Sequence, residues 1–177
     1  MTLKSVKSLA LTAALAATAV TAAVAIAPDP ATAAGPATAA RTVWVDAAGV
    51  SPVWHVSSAL AFVDRYTGTK LRLGRCHKGA ECVVIREKWN MNSRIAGLTY
   101  VGSNPTTTIH LNGTKRWMGW GQRYNTMIHE LGHARGIYTH DHRCNSVMYE
   151  STNCSHGAGR VAPRVFTAAE KRTLRTH

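Results

Sequence analysis

The stretch from Arg123 to Arg135 constrains this chain more than any other, because its pattern permits one backbone conformation. Tyr124, Met127, Ile128, Leu131 and Ala134 recur at intervals of three and four residues, which is the spacing of one face of an α-helix. On that helix His129 and His133 stand four apart, one above the other, so both imidazoles can reach a single metal ion. Glu130 is turned about a quarter of a revolution away. It is badly placed to ligate the same ion, yet it can reach water held there, which is the position a general base needs. An incidental pair of surface histidines would mean nothing of the kind, but Ile128 and Leu131 give the helix an apolar face and a reason to be buried enough to present a site.

Two imidazoles leave a tetrahedral site incomplete, so a third ligand is expected downstream. Gly136 stands where the chain can leave the helix in a left-handed turn that glycine adopts at least cost, bringing the next segment back under the metal. His140, Asp141 and His142 follow, and each is a competent zinc ligand.

The rest of the chain sets the scale. Lys4 and Lys7, an Ala-, Leu- and Val-rich run from Leu9 to Ala27, and then Pro28 and small residues read as a secretory signal peptide over 1–34, with cleavage as late as 40. An uncleaved anchor is the competing interpretation, but alanine dominates the run and a cleavage region follows it. Residues 41–177 then suit one domain with its own core, secreted and without a further membrane segment. The formal net charge of +12 draws the protein toward anionic surfaces. The Lys and Arg residues are scattered, however, and no nucleic-acid-binding motif gathers them. Four cysteines after a leader predict two disulfides. Three connectivities are possible; the local one, Cys76 with Cys82 and Cys144 with Cys154, brackets loops between elements that form independently. Neither spacing resembles a zinc knuckle. No acidic cluster marks a calcium site, and the sequence leaves structural calcium undecided.

Strands are expected at Thr42–Asp46, Lys70–Leu73, Cys82–Arg86, Ile95–Val101 and Thr106–Leu111. Ser51 and Pro52 open a helix whose apolar face is Val53, Val56, Leu60 and Val63, ending near Gly68. Gly113 to Gly121 reads as a loop, its Trp117 and Trp120 better suited to packing than to binding substrate. Thr167 and Glu170 form a capping box that starts a short last helix with Leu174 inward. The fold class is α+β: a small twisted mixed sheet with an N-terminal helix and an active-site helix, and an irregular C-terminal part ending in a short helix.

From His129 to Gly136 the chain resembles the metzincin clan of zinc metallopeptidases, whose signature is H-E-x-x-H-x-x-G-x-x-H or D followed by a methionine turn. Ser146-Val147-Met148-Tyr149 is similar to that turn, with Met148 as the apolar floor beneath the metal. The small size, the leader and a Cys144–Cys154 pair enclosing the methionine resemble the snapalysin family; Val147-Met148-Tyr149 is similar to matrixins. The resemblance implies one catalytic Zn2+, Glu130 as the catalytic base, and a monomer acting on protein or peptide substrates that pair with the edge strand, here Thr106–Leu111. His110 on that strand is expected to be a surface histidine, and Tyr138 and Tyr149 receive no catalytic role.

One departure matters. Three residues past the glycine, where the clan keeps its third ligand, stands Thr139, whose hydroxyl ligates zinc poorly. A one-residue insertion shifts the ligand to His140, which lies at the matrixin interval from Met148; His142 and Asp141 remain alternatives, the latter because snapalysins use aspartate. Glu150 stands where matrixins have proline. The functional expectation is a secreted zinc endopeptidase. Its competitors are a noncatalytic zinc-binding or cationic secreted protein with a degenerate site, and a gluzincin-like centre taking Glu150 as the third ligand.

Overall fold

Val43 and Val45 are fully buried while their neighbours Trp44 and Asp46 are only half-buried, the alternation of a strand with one face on a core. This is β1 (Thr42–Asp46) in a computed structural model that describes residues 41–102, 105–150 and 164–177. The leader and Cys154, with its expected bond to Cys144, lie outside the described residues. Among those residues the fold is α+β, built on a five-stranded mixed sheet. β2 (Lys70–Leu73) and β3 (Cys82–Lys88) flank β1 in parallel, β5 (Thr106–Asn112) runs parallel to β3, and β4 (Gly97–Val101) pairs antiparallel with β5. The order is therefore β2-β1-β3-β5-β4.

This order corrects one expectation. Thr106–Leu111 is not an edge: β5 is bonded on both sides, and β4 occupies the rim. The reason is burial. Ile109 and Leu111 are fully buried, whereas Leu98, Tyr100 and Val101 on β4 are exposed, so the more apolar strand takes the inner place. His110, expected at the surface, is half-buried with its ring 5.0 Å from that of Tyr100 across the β4–β5 pair.

The first two α-helices cover the core. The first is interrupted near its start: Pro52–Trp54 form a 3-10 turn, His55 takes a left-handed conformation (φ 53°), and α1 runs only from Val56 to Asp64. Trp54 explains the break. Its indole lies off the stripe of Val56, Leu60 and Val63, so a continuous helix would aim it elsewhere; after the break it is fully buried and donates its Nε1–H to Glu87 on β3. The second helix, α2 (Trp120–Ala134), begins three residues before the expected start. The Gln122 side chain accepts from the Gly119 N–H at 3.1 Å and supplies the N-terminal bond. Trp117 is 77% exposed, against the expectation that it packs, whereas Trp120, 58% exposed, stacks on Tyr124 with ring centroids 5.0 Å apart; Met118 is the buried residue of the segment. Burying such apolar side chains stabilises by roughly 1.5–3 kcal/mol each.

Cys76 and Cys82 are disulfide-bonded as expected, with Cα atoms 5.6 Å apart. The expected capping box holds: Thr167 N–H donates to Glu170 Oε2 at 2.6 Å, Glu170 N–H donates back to Thr167 Oγ1, and α3 (Ala168–Thr176) buries Leu174. Among the described residues no helix is long and apolar enough to cross a membrane.

Candidate metal centre

Helix α2 lies along β4 and β5, and its last two turns carry both histidines of the sequence motif. Their ring orientations are fixed by the backbone. His129 Nδ1 lies 2.9 Å from the Val147 carbonyl and His133 Nδ1 lies 2.6 Å from the Ile137 carbonyl. A carbonyl can only accept, so each Nδ1 carries the proton and each Nε2 is left as a bare lone pair. Both lone pairs point the same way: the two Nε2 atoms are 3.0 Å apart.

Gly136 adopts φ +91°, the left-handed region that the sequence assigns to it, and the chain turns back under the helix. The turn delivers His140, whose Nε2 lies 3.2 Å from that of His133. His129, His133 and His140 form a group whose ligand atoms all lie within 4.8 Å of one another. Nitrogens bound tetrahedrally to one zinc at about 2.0–2.1 Å sit roughly 3.3 Å apart, so the spacing fits the ion. Converging imidazole lone pairs repel unless a cation or proton lies between them. Burial opposes a proton: it pushes His129 down to about 3 and lowers His133 as well. A shared divalent cation is what this donor set can hold.

The two alternatives to His140, Asp141 and His142, stay outside the group. Asp141 is turned to Arg143, accepting from its Nε at 2.9 Å and its backbone N–H at 2.8 Å, and these hydrogen bonds hold its carboxyl down to about 2. His142 is exposed. The Asp141 backbone has its own task, donating to the Met148 carbonyl at 2.9 Å and so tying the His140 segment to the expected methionine turn. Met148 is fully buried, and Gly132 lets it come close: a Cβ on Gly132 would lie 2.7 Å from the Met148 sulfur.

Glu130 lies outside the imidazole group, as its position on the helix requires. Its carboxylate is buried against β4, where Thr99 Oγ1 donates to Oε2 at 2.6 Å and to the Glu130 carbonyl at 3.1 Å. Gly97 makes the approach possible, since a Cβ there would sit 2.7 Å from Glu130 Cγ. Gly97 pairs with Leu111, Thr99 pairs with Ile109, and opposed residues share a sheet face, so both project toward α2. Burial pushes Glu130 up to about 7, with the Thr99 hydrogen bond pulling the other way.

Around this centre lies a cleft of about 550 Å³, walled by β4 residues on one side and by Tyr138, Tyr149, Glu150 and Arg164 elsewhere. A second hollow of about 600 Å³ over the ends of β1 and β2 includes Asp46, His55 and Arg75, but no converging ligand group forms there among the described residues. Sequence reasoning missed Thr99, Asn125, Thr126 and Arg164 as parts of the site. Only Gly97 left a sign, because glycine inside a strand often marks a close approach. No protein-family model matches the chain, and no curated protein matches it in sequence.

Proposed function

We propose that the chain is a secreted zinc-dependent endopeptidase of the metzincin type, with His129, His133 and His140 as the metal ligands and Glu130 as the catalytic base. The observation that carries this reading is the convergence of three imidazole Nε2 atoms beside a buried carboxylate in an open cleft. Zinc bound there would supply Lewis acidity, polarising a carbonyl and making water acidic enough to attack near neutral pH.

The chain's own residues do the rest. The Val147 and Ile137 carbonyls fix the ring tautomers and orientations, so the donor set is arranged before any ion arrives. Glu130 takes the proton of the attacking water and passes it to the leaving amine. Burial raises the carboxyl above its ordinary value and strengthens it as a base, while bound zinc would pull the other way and help it release the proton. Thr99 holds one carboxylate oxygen and restricts its rotation. Substrate binding moves from β5 to β4: among the described residues the rim strand pairs on one side only, its residues line the cleft, and an extended peptide can add to it by backbone hydrogen bonds.

The noncatalytic alternative drew its force from Thr139, and His140 takes over the ligand position one residue later. Glu150, the gluzincin-type candidate, borders the cleft but is not in the ligand group. The Cys76–Cys82 disulfide supports an oxidising, extracellular setting. Purified protein should bind one zinc per chain and hydrolyse casein, and Glu130→Gln should abolish hydrolysis while retaining zinc. Protein that holds zinc but cuts no polypeptide overturns the enzymatic reading.

A further inference from the structure

One stripe of helix α2 lines the cleft with Asn125, His129 and His133, spaced four residues apart. Metal binding accounts for the two imidazoles and leaves Asn125 without a task. Asn125 is only 5% exposed, yet among the described residues nothing donates to its Oδ1 or accepts from its Nδ2. Its neighbour Thr126 differs, because that hydroxyl donates to the Gln122 carbonyl at 2.9 Å within the helix. The polar atoms of Asn125 are not sealed in the core either; they open onto the cleft. Water can serve such an amide while the cleft is open, but any ligand that displaces the water must supply the hydrogen bonds or bear the cost of their loss.

The position of Asn125 decides which part of a polypeptide meets it. A peptide added to β4 continues the sheet, so its alternate side chains face the same side as Gly97 and Thr99, which is the side of α2. Asn125 lies about 6 Å along the helix axis from His129, and an extended chain advances about 3.3 Å per residue. With the bond to be cut at the metal group, a side chain flanking that bond falls at Asn125. The chemistry of the amide narrows the side chain further. Nδ2 donates and Oδ1 accepts, side by side. An apolar side chain pairs with neither. A carboxylate accepts from Nδ2 but brings no donor for Oδ1, an ammonium does the reverse, and a hydroxyl has one oxygen for two atoms. A second carboxamide, set edge to edge, satisfies both at once.

We propose that the cleft selects polypeptides carrying an asparagine or glutamine side chain beside the bond to be cut, with Asn125 as the specificity-determining residue that pairs its carboxamide with theirs. This inference rests on the peptidase reading and names the substrate class of the same site. Asn125 is also part of a packed helix, so a fall in total activity on its replacement would show only that it supports the fold; the informative quantity is discrimination between substrates.

The test uses peptide pairs of nearly equal shape, Asn against Leu and Gln against Met, at each position flanking the cut. Cleavage gives kcat/KM, and fluorescence anisotropy gives binding to the zinc-loaded protein. At one position the wild type should prefer the carboxamide by about 10- to 100-fold, the loss expected when a buried amide is left unpaired. Asn125→Leu, close to isosteric and able to pack in the same space, should reverse the preference, and Asn125→Ala should bring the ratio near 1. A wild-type ratio near 1, or a preference for Leu and Met, at every position overturns the proposal without any variant. So does an Asn125→Leu protein that weakens all peptides by one factor and keeps the ratio, since Asn125 would then hold the substrate backbone. The two readings fail separately. Cleavage indifferent to Asn or Leu removes the carboxamide selectivity and leaves the peptidase; tighter Asn125-dependent binding of the carboxamide peptides with no cleavage removes the peptidase and leaves the recognition.

Discussion

Glu130→Gln is informative even without a substrate, because the metal-free protein should register the burial of this carboxylate in its stability. Burial raises the folded-state pKa to about 7 from an ordinary 4.5. A group whose pKa is raised by folding binds more protons in the native state, so stability is fully present below pH 4.5 and is lost as pH rises through 7. That difference corresponds to about 3 kcal/mol at pH 8. Glutamine removes the titration, and its side-chain carbonyl can still accept from Thr99. Glu130→Gln should therefore match the wild type at pH 4 and exceed its stability at pH 8 by about 3 kcal/mol.

The assay is urea unfolding of both proteins in chelator from pH 4 to 8, read as the difference between the two curves. His129 and His133 titrate in the opposite sense: burial lowers their pKa values, so their contribution to stability grows with pH. Being common to both proteins, it cancels in the difference. A flat difference, or a wild type that gains on the variant with rising pH, would refute the claim that this carboxylate is held in a desolvating site. Saturating zinc should shrink the gap, since a nearby cation favours the ionised carboxylate.

Three further outcomes follow from the same geometry. His140→Ala should weaken zinc binding by about 100-fold or more in competition with a chromophoric chelator, whereas Asp141→Ala and His142→Ala should stay near wild type; the reverse ranking overturns the ligand assignment. Gly97→Ala places a Cβ 2.7 Å from Glu130 Cγ, so the carboxylate must shift. The expected result is a drop of about 100-fold in kcat/KM with zinc still bound, since misplacement by an ångström suffices for such losses; unchanged activity would show that Glu130 is not held by this contact. Glu170→Ala removes the acceptor for the buried Ser146 Oγ at 2.8 Å and for the half-buried Thr167 N–H. Urea unfolding should report a loss of about 2–3 kcal/mol, and a loss below about 0.5 kcal/mol would deny this network a structural role.

That network shows how the floor of the site is held from a distance. Glu170 sits in the first turn of α3 and accepts from Ser146, whose Oγ in turn accepts the Met148 N–H at 3.0 Å. The Val147 carbonyl between them orients His129. A capping residue of the last helix is thus three hydrogen bonds and one peptide group away from the His129 imidazole. The sequence marks Glu170 as a cap, but its second oxygen and the role of Ser146 depend on tertiary approach.

The same distinction divides what could be read in advance from what could not. His129, Glu130, His133, Gly136 and the Thr167–Glu170 box are legible because their meaning lies within one helical turn or one left-handed residue, and chain spacing fixes it. His140, Asp141 and His142 stay ambiguous in sequence, since all three can ligate zinc and only the exit turn decides which side chain faces back. Strand positions are legible too, but strand order is not. Periodicity makes Thr106–Leu111 a strand without saying whether it has one neighbour or two, and the rim passes to Gly97–Val101 because that segment has less to bury. With the rim comes the pairing of Thr99 with Ile109, and with that pairing comes the bond that holds Glu130. Thr99 and Arg164 were unreadable for one physical reason: each reaches the site by contacts between residues far apart in the chain, and the local pattern around each is that of an ordinary surface residue.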